Sequence, residues 1–419
     1  LSGTRYVFLT AAEAYPSTVF ASQVADLLRV LAGAGLRFDV LGFDPYYARN
    51  RHTAHGRAAI AELEAKLPGA LRLFPYVPFE DRVGVPLARR LLAWELRDRR
   101  PTVIHARGVW AAATAARVAR GCPWIKLLYD VRGDYVAEHA FHRAGRGDAR
   151  GLRIAPGQWR IGRAEARAVS AATRILCVSR PLRGVLDGRY PSAGVKTVVI
   201  PGSHDPATFR RDPELRERTR DRLGLQDRFV VAYAGSMVPY QLPESLAACG
   251  KIACELREDA HLLVLTQDPE RARDVLESGG VPTHRATVRH VPHREVPALL
   301  NAADLGLLLR RRDPVNRAAS PTKVAEYLAC GVPLVVGPEI GDTSDLVRQE
   351  GLGAVVEDCE DLGALRAALT PLLVGDALPK RGHVAGVARQ RLARDRFLPV
   401  YLDLYGQLSA AAQRAVERP

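Results

Sequence analysis

Cysteine is scarce and scattered in this chain. The six residues, at 122, 177, 249, 254, 330 and 359, form no CxxC pair and no Cys/His ligand cluster. That pattern excludes zinc-finger and disulfide-framework architectures and predicts buried free thiols in a cytoplasmic protein. No apolar run is long enough to span a membrane. Arg5-Tyr-Val-Phe-Leu-Thr10 is too short for the apolar core of a secretory signal and reads as a first strand. The first residue is Leu rather than Met, from which a processed or unusually initiated N-terminus is expected. Internal repeats, low-complexity tracts and heptad seams are also absent, which removes the solenoid and coiled-coil classes. Lysine is nearly missing: it supplies six of the sixty basic residues, an arginine bias that a GC-rich genome would produce.

What is present is enough chain for two domains, each with its own core: 419 residues. Strand-like runs alternate with helical ones along the whole length, the pattern of an α/β protein. The net charge of +14 is confined to one half. Residues 1–200 carry 31 Lys+Arg against 16 Asp+Glu, whereas residues 201–419 carry 29 against 30. A basic half beside a neutral one suggests that one domain faces an anionic acceptor, a membrane surface or nucleic acid. A nucleic-acid-binding α/β protein is the rival from another class, but the chain has no RNA-binding fingerprint, no helix-turn-helix pattern and no basic tail.

In the first half, strands are expected at Tyr6–Thr10, Arg37–Phe43, Thr102–His105, Trp124–Tyr129, Arg174–Val178 and Lys196–Ile200. A basic helical region with aromatics is expected from about Arg49 to Arg100. Its Pro86–Leu96 segment has apolar and basic positions at helical spacing, suited either to its own sheet or to an anionic membrane surface. Pro, Gly and charged residues cluster between Pro201 and Arg228, where the domain boundary is placed. The second half offers strands at Arg228–Ser236, Ala260–Leu265, Ala286–His290, Leu305–Leu309 and Pro333–Val336, and ends in a helix over Phe397–Arg414.

The stretch from Ser320 to Gly331 reads as a short helix with both ends specified. Ser320 suits the N-cap, Pro321 the first helical position, and Gly331 a left-handed C-terminal turn. Lys323 stands in the first turn, where the macrodipole favours acidic residues. Free amides, hydroxyls and a lysine at one helix start suit an anion such as phosphate. Glu326, one turn along the Lys323 face, could then accept from hydroxyls on the group carrying that phosphate. The plainer alternative is a surface helix whose Lys323 and Glu326 pair with each other.

Several segments in order resemble the GT-B glycosyltransferases, in particular the retaining family-4 enzymes. These are Val199-Ile-Pro-Gly-Ser-His-Asp205 with Phe209, Val231-Ala-Tyr-Ala-Gly-Ser236, Val288–Leu300 with Ala303-Asp304, and Ser320–Val336. In the first half, Val103–Ala106, Tyr129-Asp-Val-Arg-Gly133 and Ile175–Ser179 resemble strand ends of the acceptor domain. The resemblance implies an α/β GT-B fold of two Rossmann-like domains facing each other across a cleft. The acceptor domain would cover 1–205, the nucleotide-sugar domain 206–396, and 397–419 would be a helix crossing back to the first domain.

On the donor side the resemblance implies Gly235, Ser236, Gln241, Val291, Ser320, Thr322, Lys323 and Glu326, with Glu326 on the ribose hydroxyls. The family's first motif glutamate would fall at Ala318, and the usual basic pair after the glycine turn is replaced by residues ending at Gln241. Lys323 would then carry the diphosphate charge, with Arg310, Arg311, Arg312 or Arg317 in reserve. Asp130, His105 and Arg132 are the expected catalytic group, Asp130 as base or acceptor-hydroxyl anchor. Glu13, Ser17 and Thr18 are expected on the acceptor side, in the loop after the first strand. His204 and His139 are expected at the surface or in the linker. No cofactor and no obligatory metal are expected. The donor would be a nucleotide sugar, with UDP as the nucleotide, and the acceptor an anionic, lipid-linked or natural-product molecule. Location would be cytoplasmic, with peripheral membrane contact through the basic half. A protein that binds nucleotide sugar without turnover is the alternative that Ala318 keeps open.

Overall fold

Runs of three to seven residues, apolar on both faces, become parallel strands covered by helices on each side. The computed structural model describes residues 3–11, 20–44, 51–75, 84–144 and 156–417. The chain forms two compact units, Leu1–Ile200 with Phe397–Pro419, and Pro201–Arg396. Among the described residues no helix is long and apolar enough to cross a membrane.

The first unit holds β1 (Arg5–Ala11), β2 (Phe38–Asp44), β3 (Leu71–Pro75), β4 (Thr102–Arg107), β5 (Ile125–Val131), β6 (Arg174–Cys177) and β7 (Thr197–Val199). They pair in parallel in the order β3-β2-β1-β4-β5-β6-β7. The last helix, Leu398–Glu417, belongs to this unit. It buries Tyr401, Leu404, Tyr405 and Leu408, an i, i+3, i+4, i+7 stripe, in one cluster with Tyr6, Phe8 and Phe38. The Tyr405 ring lies edge-on to Phe38 at 5.1 Å.

The second unit holds β8 (Phe229–Ala234), β9 (Ala260–Leu265), β10 (Ala286–Arg289), β11 (Leu305–Leu308), β12 (Leu334–Val336) and β13 (Gly353–Val355), ordered β10-β9-β8-β11-β12-β13. Alternation along β8 feeds two cores. Val230, Ala232 and Ala234 face one side with the helix Thr322–Ala329, while Phe229, Val231 and Tyr233 face the other with the helix Pro243–Leu256. In both sheets the order reverses between the first strand and the fourth, at β1/β4 and at β8/β11. Ligands of such sheets sit outside the carboxyl ends of the strands at that point.

Two expectations need correction, and one strand was not foreseen. The segment expected as a basic helical region, about Arg49 to Arg100, contains the edge strand β3 between the helices Ala54–Lys66 and Gly84–Glu95. The other missed strand, β13, is also at an edge. An edge position buries fewer side chains, so its apolar signal is weak. His204, expected at the surface or in the linker, is buried and forms a β-bridge with Ala393.

Gly331 closes the helix Thr322–Ala329 at φ +73°. Its N–H donates to Leu328 O and the Val332 N–H to Tyr327 O, which satisfies two terminal carbonyls. A Cβ there would adopt a left-handed backbone and stand 2.8 Å from Arg381 O. Gly331→Ala is expected to cost about 1–3 kcal/mol, read as a melting temperature lower by a few degrees.

Candidate active site

The second unit gathers its candidate residues at the carboxyl ends of β8 and β11 and at the start of the helix after them. Tyr233 Oη donates to Ser236 O at 2.7 Å, folding the turn over the Tyr233 ring. A Cβ on Gly235 would lie 2.4 Å from that hydroxyl, so any side chain here would have to displace the Tyr233 ring. The Gly235 N–H is already spent on Leu265 O at 2.9 Å. Gly235 therefore contributes close backbone approach and no donor. Gln241 closes the 3-10 turn Pro239–Gln241 and is buried. Leu242 follows at φ +51°, one of three described non-glycine residues with positive φ; Glu339, at +48° in the loop after β12, is another. Strain in two loops at the same end of the sheet is the kind retained at functional sites. Val291, after β10, packs partly against the adjoining core.

Ser320 does not cap the helix as its position suggests. Its hydroxyl accepts from the Gly202 N–H at 2.8 Å, because the backbone at Gly202 runs against Ser320. The helix begins at Thr322 behind Pro321, with no side-chain cap. The N–H groups of Thr322 and Lys323 have no partner among the described residues. Lys323 is half-buried and makes no ion pair among them. The pairing of Lys323 with Glu326 is thus not formed. Glu326 is buried and faces His293 Nε2 at 3.6 Å, and that ring lies edge-on to Phe209.

In the first unit the centre is Asp130, near the end of β5. His105 Nε2 lies 3.4 Å and Arg107 Nη1 3.5 Å from Asp130 Oδ2, with Arg132 Nη1 3.7 Å from Oδ1. Arg107 stands opposite Asp130 in the parallel register. Arg107 and Arg132 both donate to Gln23 Oε1, at 2.8 and 3.0 Å. Burial alone would raise the Asp130 pKa, but Arg132, His105 and Arg107 outweigh it and hold the carboxyl well below its usual range. The group is a firmly held carboxylate with little appetite for a proton.

His105 is fully buried, its Nδ1 within 2.7 Å of Tyr405 Oη and its Nε2 turned to Asp130. Expected among the catalytic residues, it is enclosed between Tyr405 and Asp130, behind the carboxylate as seen from the strand ends. The reason is the last helix, which covers β4 and seals the ring from solvent. Glu13, Ser17 and Thr18 lie outside the described residues. Three members of the cluster were not foreseen: Arg107, Gln23 and Tyr405. His105-Ala-Arg107 and Asp130-Val-Arg132 each place two polar residues on one face of a buried strand, which was a usable signal for Arg107. Tyr405 is 300 positions from His105 and carried none. Among the described residues no group of three or more His, Cys, Asp or Glu could hold a metal ion.

Two family models cover most of the chain: Glycosyltransferase Family 4 over residues 21–208, and Glycosyl transferases group 1 over residues 216–385. The chain belongs to the GT-B glycosyltransferases. A curated relative, the GDP-mannose-dependent alpha-(1-6)-phosphatidylinositol monomannoside mannosyltransferase of Mycolicibacterium smegmatis, is 31% identical over 214 residues. That match spans 49% of this chain and 53% of the relative, about half of each. Among solved structures, sucrose-phosphate synthase from Thermosynechococcus elongatus superposes with a TM-score of 0.71 at 18% identity, covering 97% of this chain and all of that one. Anabaena Alr3699/HepE in complex with UDP gives 0.70 at 14% identity, covering 96% of this chain and all of its own. At such identities these two establish the GT-B fold alone.

Proposed function

We propose that this GT-B glycosyltransferase moves a sugar from a nucleoside-diphosphate sugar to an anionic or lipid-linked acceptor. The observation that carries the donor half is the helix start at Thr322. Unpartnered amides, an unpaired Lys323 and a Glu326 not neutralised by it stand within one turn. That arrangement offers cationic and N–H contacts to a diphosphate and a carboxylate to ribose hydroxyls. Leaving-group charge would be met by fixed dipoles, Lys323 and Ser236, with no obligatory metal. Retention of configuration is carried by the family resemblance.

The acceptor half rests on the basic first unit and on the carboxylate cluster. Asp130 would anchor an acceptor hydroxyl, and Arg132 would hold an anionic group. Exposed Trp94 and Trp159 lie under Arg97 and Arg163, whose guanidinium carbons are 4.5 and 4.6 Å from the ring centroids. Such pairs suit peripheral contact with an anionic lipid surface, at the cytoplasmic face of a membrane.

UDP is the proposed nucleotide, and the relative's name supplies GDP as the second reading. A thermal-shift panel of UDP, GDP, their sugar conjugates and the free nucleosides separates them. Ligand at a hundred times its Kd stabilises by about 2.7 kcal/mol, a rise of roughly 5–10 °C for a unit of this size. A saturable rise with one nucleoside diphosphate is expected. No rise with any nucleotide overturns the donor reading.

A further inference from the structure

Four arginines lie in the segment between β11 and the helix Thr322–Ala329, Arg317 within the short helix Pro314–Ala318, and three of them are matched by carboxylates. Arg311 pairs with Glu360, Arg312 with Glu339 and Glu357, and Arg317 with Glu339. Arg310 is different. It follows β11 by two residues, at the strand pair where the order of the sheet reverses. No carboxylate lies within ion-pairing distance of it among the described residues, and its Nε is buried without a hydrogen-bond partner. One neutral contact holds it, from Nη1 to Asn316 Oδ1 at 3.2 Å. Its guanidinium carbon stands 5.7 Å from the Tyr240 ring centroid, in the turn after β8. The backbone is fixed from the other side, since a Cβ on Gly337 would lie 2.2 Å from Arg310 O.

A guanidinium carries five donors, and burying it beside a single amide oxygen is unfavourable. Burial accordingly pulls its pKa below the ordinary arginine range. Asn316 is not free to move toward it, being held by Asp313 and Arg311 O. The segment after β8, Gly235–Leu242, contains no Lys or Arg, so the positive charge beside this turn is not supplied from the β8 side. The unmatched donors, the location at the reversal point and the neighbouring turn share one explanation: the guanidinium is built to receive an anion.

We propose that Arg310 holds the diphosphate of the nucleotide donor. This rests on the donor site proposed above. The planar fork offers two parallel N–H bonds to phosphate oxygens, a geometry that a lysine at Lys323 does not supply. Lys323 and Arg310 then divide the work, one as a point charge at the helix start and the other as a positioned fork.

The test compares nucleoside diphosphate with the matching nucleoside, by calorimetry, on wild type, Arg310→Met and Arg310→Lys. Arg310→Met is expected to weaken the diphosphate about 10–100-fold and leave the nucleoside unchanged. Its ligand-free melting temperature should stay level or rise, because an unmatched buried charge has been removed. Arg310→Lys should fall between the two in diphosphate affinity. A folded Arg310→Met that keeps the wild-type ratio of diphosphate to nucleoside affinity overturns the proposal. So does a ligand-free protein that melts earlier while that ratio is kept, which marks a structural arginine. If the Met variant does not fold, the Lys variant decides on the same ratio. Wild type that binds no nucleotide sinks the donor site itself, an outcome distinct from the others.

Discussion

Asp130→Asn should reduce transfer by about 10²-fold, the cost of a misplaced acceptor hydroxyl, while nucleotide-dependent stabilisation of the second unit is unchanged. The expectation follows from what surrounds the carboxylate. Arg132, His105 and Arg107 hold it ionised far below the usual carboxylate range, so at neutral pH it is a poor proton acceptor. It is a strong hydrogen-bond acceptor, fixed in direction by His105 and Tyr405 behind it. Orientation of an acceptor hydroxyl needs that property and does not need a shifted base. Asparagine keeps the shape and one acceptor oxygen, yet presents an amide donor toward two guanidinium groups and loses the charge. A folded Asn variant with normal turnover removes Asp130 from the mechanism.

The same variant carries a stability signature. Because the folded pKa of Asp130 is depressed, its charge contributes stability that is fully present above the unfolded value near 3.9. That contribution is lost as pH falls toward the folded value. Wild type should therefore melt above Asp130→Asn at neutral pH, and the gap should close as pH drops below about 4. A gap that stays constant through acid would mean that the amide disturbs the site sterically rather than through the lost charge.

How much of this was legible in the sequence depends on where each signal lies. Central strands such as Phe229–Ala234 are buried on both faces, so an unbroken apolar run announces them. Gly331 was readable because only a left-handed backbone explains a glycine after a helical stripe. The edge strands Leu71–Pro75 and Gly353–Val355 were not, since no residue described in either is fully buried. At the site, residue types were legible but their commitments were not. Ser320 looks like a cap until Gly202, 118 positions earlier, is found on its hydroxyl. Gly235 looks like a donor until Leu265 is found on its amide. Each is a hydrogen bond to a distant backbone, and local sequence holds no record of it. Arg310 reverses the case: four neighbouring arginines look alike, and only burial and missing partners set one apart.

Glu326→Ala is expected to abolish nucleotide-dependent stabilisation with the fold intact. A carboxylate that accepts from two ribose hydroxyls makes charge-assisted bonds worth about 1.5–3 kcal/mol each. Loss of even part of that weakens the nucleotide by two orders of magnitude. At a concentration giving about 2.7 kcal/mol in wild type, a hundredfold weaker variant retains about 0.4 kcal/mol. The melting shift then shrinks to near the error of the measurement. The fold has little to lose by comparison. Among the described residues Glu326 has one ion-pair partner, His293 at 3.6 Å, and that side chain is 40% exposed. Alanine is the best helix former for a position inside Thr322–Ala329. The two readouts therefore separate: ligand-free melting should move little, and the ligand-induced rise should disappear. Full protection in the Ala variant would sink the ribose assignment. It would leave Lys323 and the helix start as an anion site of another kind, since their geometry does not depend on Glu326.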